Sequence, residues 1–541
     1  MKKVNIIFLI TIVVQFSVFA QNIELPDVTT VIQGENIQVD SSALPDFNDL
    51  FEAPKGSGSI VPQLPDINTS VAPVNSSEKK NGEEKSVFSE ILVGGGYPFL
   101  FYGNCTVSNT KKNSPFKLAF SYDAANGYEG KPLTENYSDS KINLFVEKKF
   151  FKNNLSLDFS TSYDFKSNGL QNKVLDISEI NNFIIAGNGN VDYKFSNGIS
   201  IGTNISLDFY NRYASMTDKN QAVDPLENWV KKSALLTFIP TVYGKWSGKG
   251  FDVLLEGEYL LDGKLFNDIE GGSTNRGSFI ADVKWHNDIF NLFGNVGVVF
   301  GSQLNNNSVL VPFSAGFNIM VPVYFSDRRV CIAGEGGLSS IYNTVASLEK
   351  KYDFAGFSSM PAETAEWYGK LKLDIPLKTV FTGNLSAEYR HTAFNNSIWE
   401  PDYSENNFTD GLYKFTGKNR KYFATDLSLT FHHKFFTING GWHANWLDVP
   451  VMESMQMFNV NMSFQAEDSK WGAGISGSYN IDSNWQLPVI SLDGFYQVSS
   501  TARISASFDN IISLFNSNTG NNPGKYINRG FTGSLFIKFV L

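Results

Sequence analysis

Cysteine, histidine and positive charge are scarce in this sequence, and each scarcity excludes a class of protein. The 541 residues include two cysteines and five histidines, so neither a disulfide-stapled scaffold nor a metal site built on paired Cys or His ligands is expected. Basic residues number 44 against 54 acidic ones, a net charge of −10, which argues against binding to nucleic acid phosphates. We predict no cofactor and no metal site.

Long apolar runs are also missing after the first twenty residues. Asn, Asp, Ser or Lys interrupts every later hydrophobic stretch within a few positions, well short of the ~18 residues that a transmembrane helix needs. Aromatic residues nevertheless make up 14% of the chain, so a large apolar surface has to be covered. A helical membrane protein and a generally disordered chain are both excluded.

Residues 1–20 have the features of a secretory signal peptide. Lys2 and Lys3 form a positive n-region, residues 6–19 are apolar, and Val18-Phe19-Ala20 fits a cleavage site. We expect a mature chain that begins at Gln21. Because residue 21 is not cysteine, a lipid anchor is not expected there.

Residues 21–86 are predicted to be an extended periplasmic arm, because they are rich in Pro, Ser, Asp and Asn and show no sustained periodicity. A Leu-Pro-Asp-apolar tetrad occurs three times, and each proline holds the preceding leucine extended. The tetrads could dock into a groove of a periplasmic protein, with a basic surface to match the acidic arm, or they could simply start turns. Their shared residues are Leu25, Pro26, Asp27, Leu44, Pro45, Asp46, Leu64, Pro65 and Asp66.

From residue 87 to residue 541 the chain consists of runs of about ten residues in which apolar and polar side chains alternate. One example runs from Phe381 to Thr392, and others cover residues 458–467, 471–480 and 502–509. This length and period are typical of the strands of a transmembrane β-barrel. A soluble sandwich also alternates, but its strands are usually shorter. About 21 runs can be counted, whereas single-chain bacterial barrels have an even number of strands. We therefore predict an all-β, antiparallel barrel of 20–22 strands, with a hairpin or kink hidden near residues 93–108.

Tight turns and longer loops alternate along this region, as expected for short periplasmic turns and long external loops. The predicted turns lie near 152–153, 196–197, 247–248, 468–469 and 499–500, and the predicted loops near 124–138, 164–185, 211–231, 261–274, 341–365, 393–419 and 512–527. The final residues place Leu535, Ile537, Phe539 and Leu541 on one face. This resembles the terminal strand that outer-membrane barrels present to their assembly machinery. We expect a location in the outer membrane of a diderm bacterium, in contact with its lipid.

The predicted barrel size resembles that of TonB-dependent transporters. Residues 27–32, Asp-Val-Thr-Thr-Val-Ile, are similar to the box that this family offers to its energy-coupling partner. The resemblance implies transport across the outer membrane. The 66 residues of the arm are about half of the family's folded plug, so the plug would be short or absent. Other large outer-membrane channels, including long-chain fatty-acid channels, are similar in having an N-terminal segment that could enter the lumen.

The alternation also assigns charged side chains to the lumen of the barrel. If residues 434–435 form a turn, Asp426 faces His443 across neighbouring strands, which would suit a base and its orienter. Charges of both signs in a lumen more often line and hydrate a channel, so we predict no catalytic residue. The predicted lumen-lining residues are Glu256, Glu258, Glu388, Arg390, Asp426, His443, Arg503 and Asp509.

The sequence therefore favours a non-enzymatic channel or transporter, with residues 21–86 as a gate, plug or periplasmic docking segment. The alternative is a barrel without transport that binds molecules at the cell surface, or one that organises the envelope by recruiting a periplasmic protein.

Overall fold

The computed structural model describes the part of the chain that was predicted to form the barrel, with several gaps. The described residues are 87–109, 115–126, 138–151, 154–172, 177–216, 232–266, 273–304, 309–323, 326–352, 354–378, 380–451, 453–466, 469–481, 487–515 and 530–540. The predicted signal peptide and the arm with its tetrads lie outside them. Within the described ranges, no helix is long and apolar enough to cross a membrane.

The fold is a closed antiparallel β-barrel of 22 strands. The strands of the structure are β1 Val87–Tyr97, β2 Phe99–Asn109, β3 Phe116–Asn126, β4 Ser138–Phe150, β5 Leu155–Asn168, β6 Ile177–Lys194, β7 Ile199–Met216, β8 Lys232–Gly248, β9 Phe251–Phe266, β10 Thr274–His286, β11 Phe290–Gly301, β12 Val309–Leu310, β13 Phe313–Val323, β14 Ser326–Ile341, β15 Ala355–Gly356, β16 Thr364–Lys378, β17 Phe381–Thr392, β18 Ile398–Pro401, β19 Phe408–Thr409, β20 Leu412–Lys418, β21 Lys421–His432, β22 Phe436–Asn445, β23 Gln456–Gln465, β24 Trp471–Ile481, β25 Val489–Gln497, β26 Ala502–Asp509 and β27 Thr532–Val540. Each barrel strand pairs with its neighbours along the wall, and β1 pairs with β27 to close the ring. The short β12 continues the line of β13 on β11, and β15, β18, β19 and β20 form a separate small sheet.

The strand count of 22 agrees with the predicted range, and the odd tally of 21 has a local cause. Gly94-Gly95-Gly96-Tyr97 ends β1, Pro98 forms the turn, and β2 returns in register with Gly96 opposite Leu100. The predicted hidden hairpin is therefore real. The alternation of short turns with long loops is also observed, so that every long loop lies at one end of the barrel. By the usual orientation this is the extracellular end, and β1 begins at the periplasmic end.

Side chains alternate between the two faces of the wall, as strand geometry requires. On β17, Phe381, Leu385 and Tyr389 point outward and are 41–48% exposed, whereas Glu388 and Arg390 lie on the inner face. The same outward exposure of apolar side chains continues around the ring. In a membrane protein an outer surface of this kind faces lipid, so this is the architecture of a bacterial outer-membrane barrel.

The seam between β1 and β27 depends on glycine. A methyl group on Gly96 would overlap the backbone carbonyl of Gly533, and one on Gly94 would overlap the ring of Phe536. Phe536 is 2% exposed and lies on the inner face of β27. An aromatic ring covering a cross-strand glycine is a known way of fixing the register of a sheet, and here it fixes the register of closure.

Candidate functional site

The inner wall carries networks of charged side chains, and several predicted lumen residues take part in them. Arg390 donates to Glu388 on its own strand and, at 3.2 Å, to Glu366 on β16. On β9 and β10, Glu258 accepts from Arg276 at 3.0 Å. Glu256 lies one step further along the same face of β9, level with Ile280. Glu258 and Glu388 thus belong to ion-pair networks along the inner wall.

Near the seam, Arg503 is placed differently from the other predicted residues. Its guanidinium carbon lies 3.5 Å from the centre of the Phe495 ring, and it stands directly opposite Lys538. Lys538 is balanced by Glu90 at 2.9 Å. Asp509, at the other end of the same strand, accepts from Ser507 at 3.3 Å.

Asp426 and His443 do face each other, with Nδ1 of the imidazole 2.6 Å from the carboxylate. Ser386 donates to the same carboxylate at 2.9 Å. A hydrolytic triad requires the serine to hydrogen-bond to the imidazole, and here the serine bonds to the carboxylate instead. The group therefore lacks an activated nucleophile. Among the described residues no set of three or more His, Cys, Asp or Glu side chains is arranged to hold a metal ion.

The main feature that the sequence did not reveal is a folded cap at the extracellular mouth. We define the mouth cap as residues 342–352, 354–363 and 393–420, which belong to the two loops that follow β14 and β17. The first segment contains a short helix, α1 (Val345–Lys351). The two loops join where β15 of the first pairs with β20 of the second, with Ala355 opposite Tyr413. They therefore fold as one unit, not as two separate loops.

The mouth cap has an aromatic core of its own, which packs against the inner wall. Phe357 and Phe415 stack with ring centres 4.0 Å apart, and Trp399 lies 5.7 Å from Phe357. The same apolar cluster includes Ile180 on β6 and Leu235 on β8. Four barrel strands separate β14 from β8 along the wall, and six separate it from β6. Contacts this far round the ring mean that the cap extends across the mouth.

A buried ion pair fastens the cap to the far wall. Glu349 on α1 accepts from Arg212 on β7, and both side chains are 1% exposed. The same carboxylate accepts from the Tyr210 hydroxyl and, at 2.9 Å, from the backbone N–H of Phe357. Every one of these groups has lost water, so the carboxylate depends on its partners for compensation. We call this set the Glu349 latch.

Further contacts hold the cap at its edges. Next to the latch, Lys350 pairs with Asp164 on β5, but the lysine side chain is 53% exposed, so this pair adds little. At the base of the cap, Arg276 donates to Glu363 at 3.2 Å.

The chain was compared with known proteins at the level of sequence and of structure. No family model matches it, and no curated protein sequence matches it. Solved structures do match. The FrpB iron transporter from Neisseria meningitidis, in its apoprotein form, has a TM-score of 0.62 at 10% identity, covering 85% of this chain and 82% of that chain. The siderophore receptor PirA from Acinetobacter baumannii has a TM-score of 0.63 at 8% identity, covering 86% and 81%.

A ferric enterobactin receptor (PfeA) mutant from Pseudomonas aeruginosa also matches, with a TM-score of 0.60 at 10% identity over 86% of this chain and 81% of that chain. At such low identity the likeness concerns the fold. The chain therefore has the fold of the large outer-membrane barrels that the size of its strand pattern predicted, and it resembles TonB-dependent transporters.

Proposed function

We propose that this protein is an outer-membrane channel or transporter whose passage is regulated at both ends. The observation that carries the proposal is the mouth cap: a folded unit latched across the opening of a wide barrel whose inner wall is polar. A wall of 22 strands encloses a lumen too wide to be filled by its own side chains. A cap that narrows the entrance of the lumen would control the passage of solute through the barrel.

Two further points support transport. Solved structures with this fold include proteins described as an iron transporter, a siderophore receptor and a copper transporter. The inner wall places charges of both signs along the lumen, among them Glu258, Glu388 and Arg390, and such linings set the selectivity of a pore. We assign selectivity to these side chains and to the predicted lumen residues near them.

The acidic arm is proposed to act at the periplasmic end, where β1 begins. It would serve as a gate, as a plug or as a docking segment for a periplasmic protein. In the first two roles it and the mouth cap are barriers in series.

Planar-bilayer recordings test the proposal with the refolded mature protein and with a protein lacking residues 21–77. We expect conductance to rise when the arm is removed, and to rise further in that background when the Glu349 latch is broken. If deletion of the arm leaves the conductance unchanged in a protein whose Glu349 latch is already broken, the arm is ruled out as a barrier. Absence of conductance in all forms would contradict transport and favour the alternative, a barrel that binds surface molecules or recruits a partner.

The three Leu-Pro-Asp tetrads are the observation behind that alternative. If the arm recruits a periplasmic protein, a chain with Pro26, Pro45 and Pro65 changed to alanine should lose that protein in a crosslinking pull-down from cells. Its conductance should equal that of the unaltered protein. Loss of capture together with a change in conductance would instead indicate that one segment serves both roles.

A further inference from the structure

The lipid-facing surface contains a groove at its extracellular edge. On the outer face of β13, β14, β16, β17 and β21, side chains form rows across the strands, because the register is continuous. One row reads Ala315, Gly336, Gly369, Tyr389 and Phe423. Three of its five members have little or no side chain, so the apolar belt is interrupted there.

The depression is large enough to hold part of a ligand. Its volume is about 490 Å³, within the ~300–1,000 Å³ of typical ligand pockets. At the lower edge of the groove, Phe317 and Leu371 cover Gly334. A methyl group on Gly334 would lie 2.8 Å from Phe317 and 3.1 Å from Leu371. A methyl group on Gly369 would meet no atom within 4 Å. The groove is therefore open at Gly369 and walled by aromatic and aliphatic side chains.

Nitrogen donors lie immediately beyond the groove on the extracellular side. In the next row, Trp367 pairs with His391, and His391 pairs with Lys421. Within the described residues, neither the His391 ring nor the Lys421 ammonium has a hydrogen bond or ion pair. The nearby Asp448 carboxylate accepts from the backbone N–H of Lys421 at 2.8 Å. The side-chain nitrogens remain available to an anion.

The depth of this row in the membrane follows from strand geometry. Ten residues of β17 separate Phe381, at the periplasmic end, from His391. At a rise of about 3.3 Å per residue and a tilt of about 40°, they span roughly 25 Å, which is the height of the apolar band of outer-membrane barrels. His391 and Lys421 therefore lie at the level of lipid headgroups, and the groove lies just below, among acyl chains.

We propose that this groove binds a phosphorylated lipid of the outer leaflet, namely lipid A. One acyl chain occupies the space over Gly336 and Gly369, and a phosphate pairs with Lys421 and His391. Lipid A matches the site in both charge and shape, because its phosphate lies at the headgroup level and its acyl chains extend to the level of the groove. The extracellular position selects lipid A, because the outer leaflet of this membrane is built from it. The proposal does not depend on whether solute passes through the lumen.

Native mass spectrometry tests this with the purified full-length mature protein, exchanged into detergent and mixed with lipid A. We expect one lipid A molecule to be retained per barrel. Gly369→Leu places a side chain in the groove, where a Cβ atom meets no other atom within 4 Å, and Lys421→Gln with His391→Gln removes the ammonium and the imidazole. Each change should reduce retention at least several-fold.

Matched controls separate this site from general lipid contact. Gly189→Leu makes the same change at another open glycine, on β6, and Lys148→Gln removes a lysine that lies over Phe116 at the periplasmic end. Both should retain lipid A as the unaltered protein does. Equal retention by Gly369→Leu would overturn the groove, and equal retention of dephosphorylated lipid A would overturn the role of the donors. Equal retention of phosphatidylglycerol would overturn the assignment to lipid A.

Discussion

Replacing Arg212 by methionine should open the extracellular mouth and raise the conductance of the arm-deleted barrel several-fold. The change removes the cation that compensates Glu349, and both side chains are 1% exposed. Leaving one charge of a buried pair without its partner typically costs about 3–5 kcal/mol. The cap would then lose its attachment to the far wall, while the β-ladder of the barrel would be untouched. Single-channel recording measures the opening.

The controls use the chemistry of the latch. In a double variant, Arg212→Met with Glu349→Leu, both charges are replaced by apolar groups of similar size, which buried pairs often tolerate. We expect the double variant to return towards the low conductance of the parent. Lys350→Gln, which breaks only the exposed pair with Asp164, should change little. A single variant whose conductance equals that of the arm-deleted parent would show that the latch does not close the mouth.

The second large effect is expected at the seam, where Gly96→Ala should prevent closure of the barrel. The new methyl group would overlap the carbonyl of Gly533, and backbone atoms on β27 cannot move aside without losing ladder hydrogen bonds. Folded outer-membrane barrels migrate faster than unfolded ones in unheated SDS gels. We expect the variant to show little of the folded band, and Gly440→Ala, at an open glycine, to show it fully.

Gly94 provides an internal comparison, because its methyl group would meet the ring of Phe536 and not only backbone. Gly94→Ala should be partly rescued by Phe536→Ala, which clears that space. Gly96→Ala should not be rescued by the same change. Rescue of both, or of neither, would contradict the view that a ring over glycine sets the register of β1 on β27.

The wall could be predicted from the sequence because its determinants are local. Alternation fixes which side chains point outward, and the predicted turn at residues 434–435 was enough to place Asp426 opposite His443. The one strand missing from the tally was hidden by Pro98, since a single turn residue leaves no polar interval between β1 and β2. Glycines within β1 further weakened the alternation there.

The mouth cap could not be predicted in the same way. Arg212 and Glu349 belong to strands and loops far apart in sequence, and neither has neighbours that mark it as a buried ion. Residues 393–420 contain the polar and turn-forming residues of an ordinary surface loop. The fold of the mouth cap is decided by its packing on the inner wall, through Phe357 and Phe415. The periodicity of a sequence does not reveal such long-range packing. The groove around Gly369 was missed for a related reason, because it requires the register of five strands.

The Glu349 latch also restricts which residues of this chain can be substituted during evolution. External loops of barrels usually vary freely, because they leave the wall unaffected. The two loops of the mouth cap are under a different constraint, since Glu349 is useful only with Arg212 and Tyr210 on a distant strand. In homologous chains these positions should change together, as contacting residues do. Substitutions should accumulate instead in the loops that do not reach across the mouth.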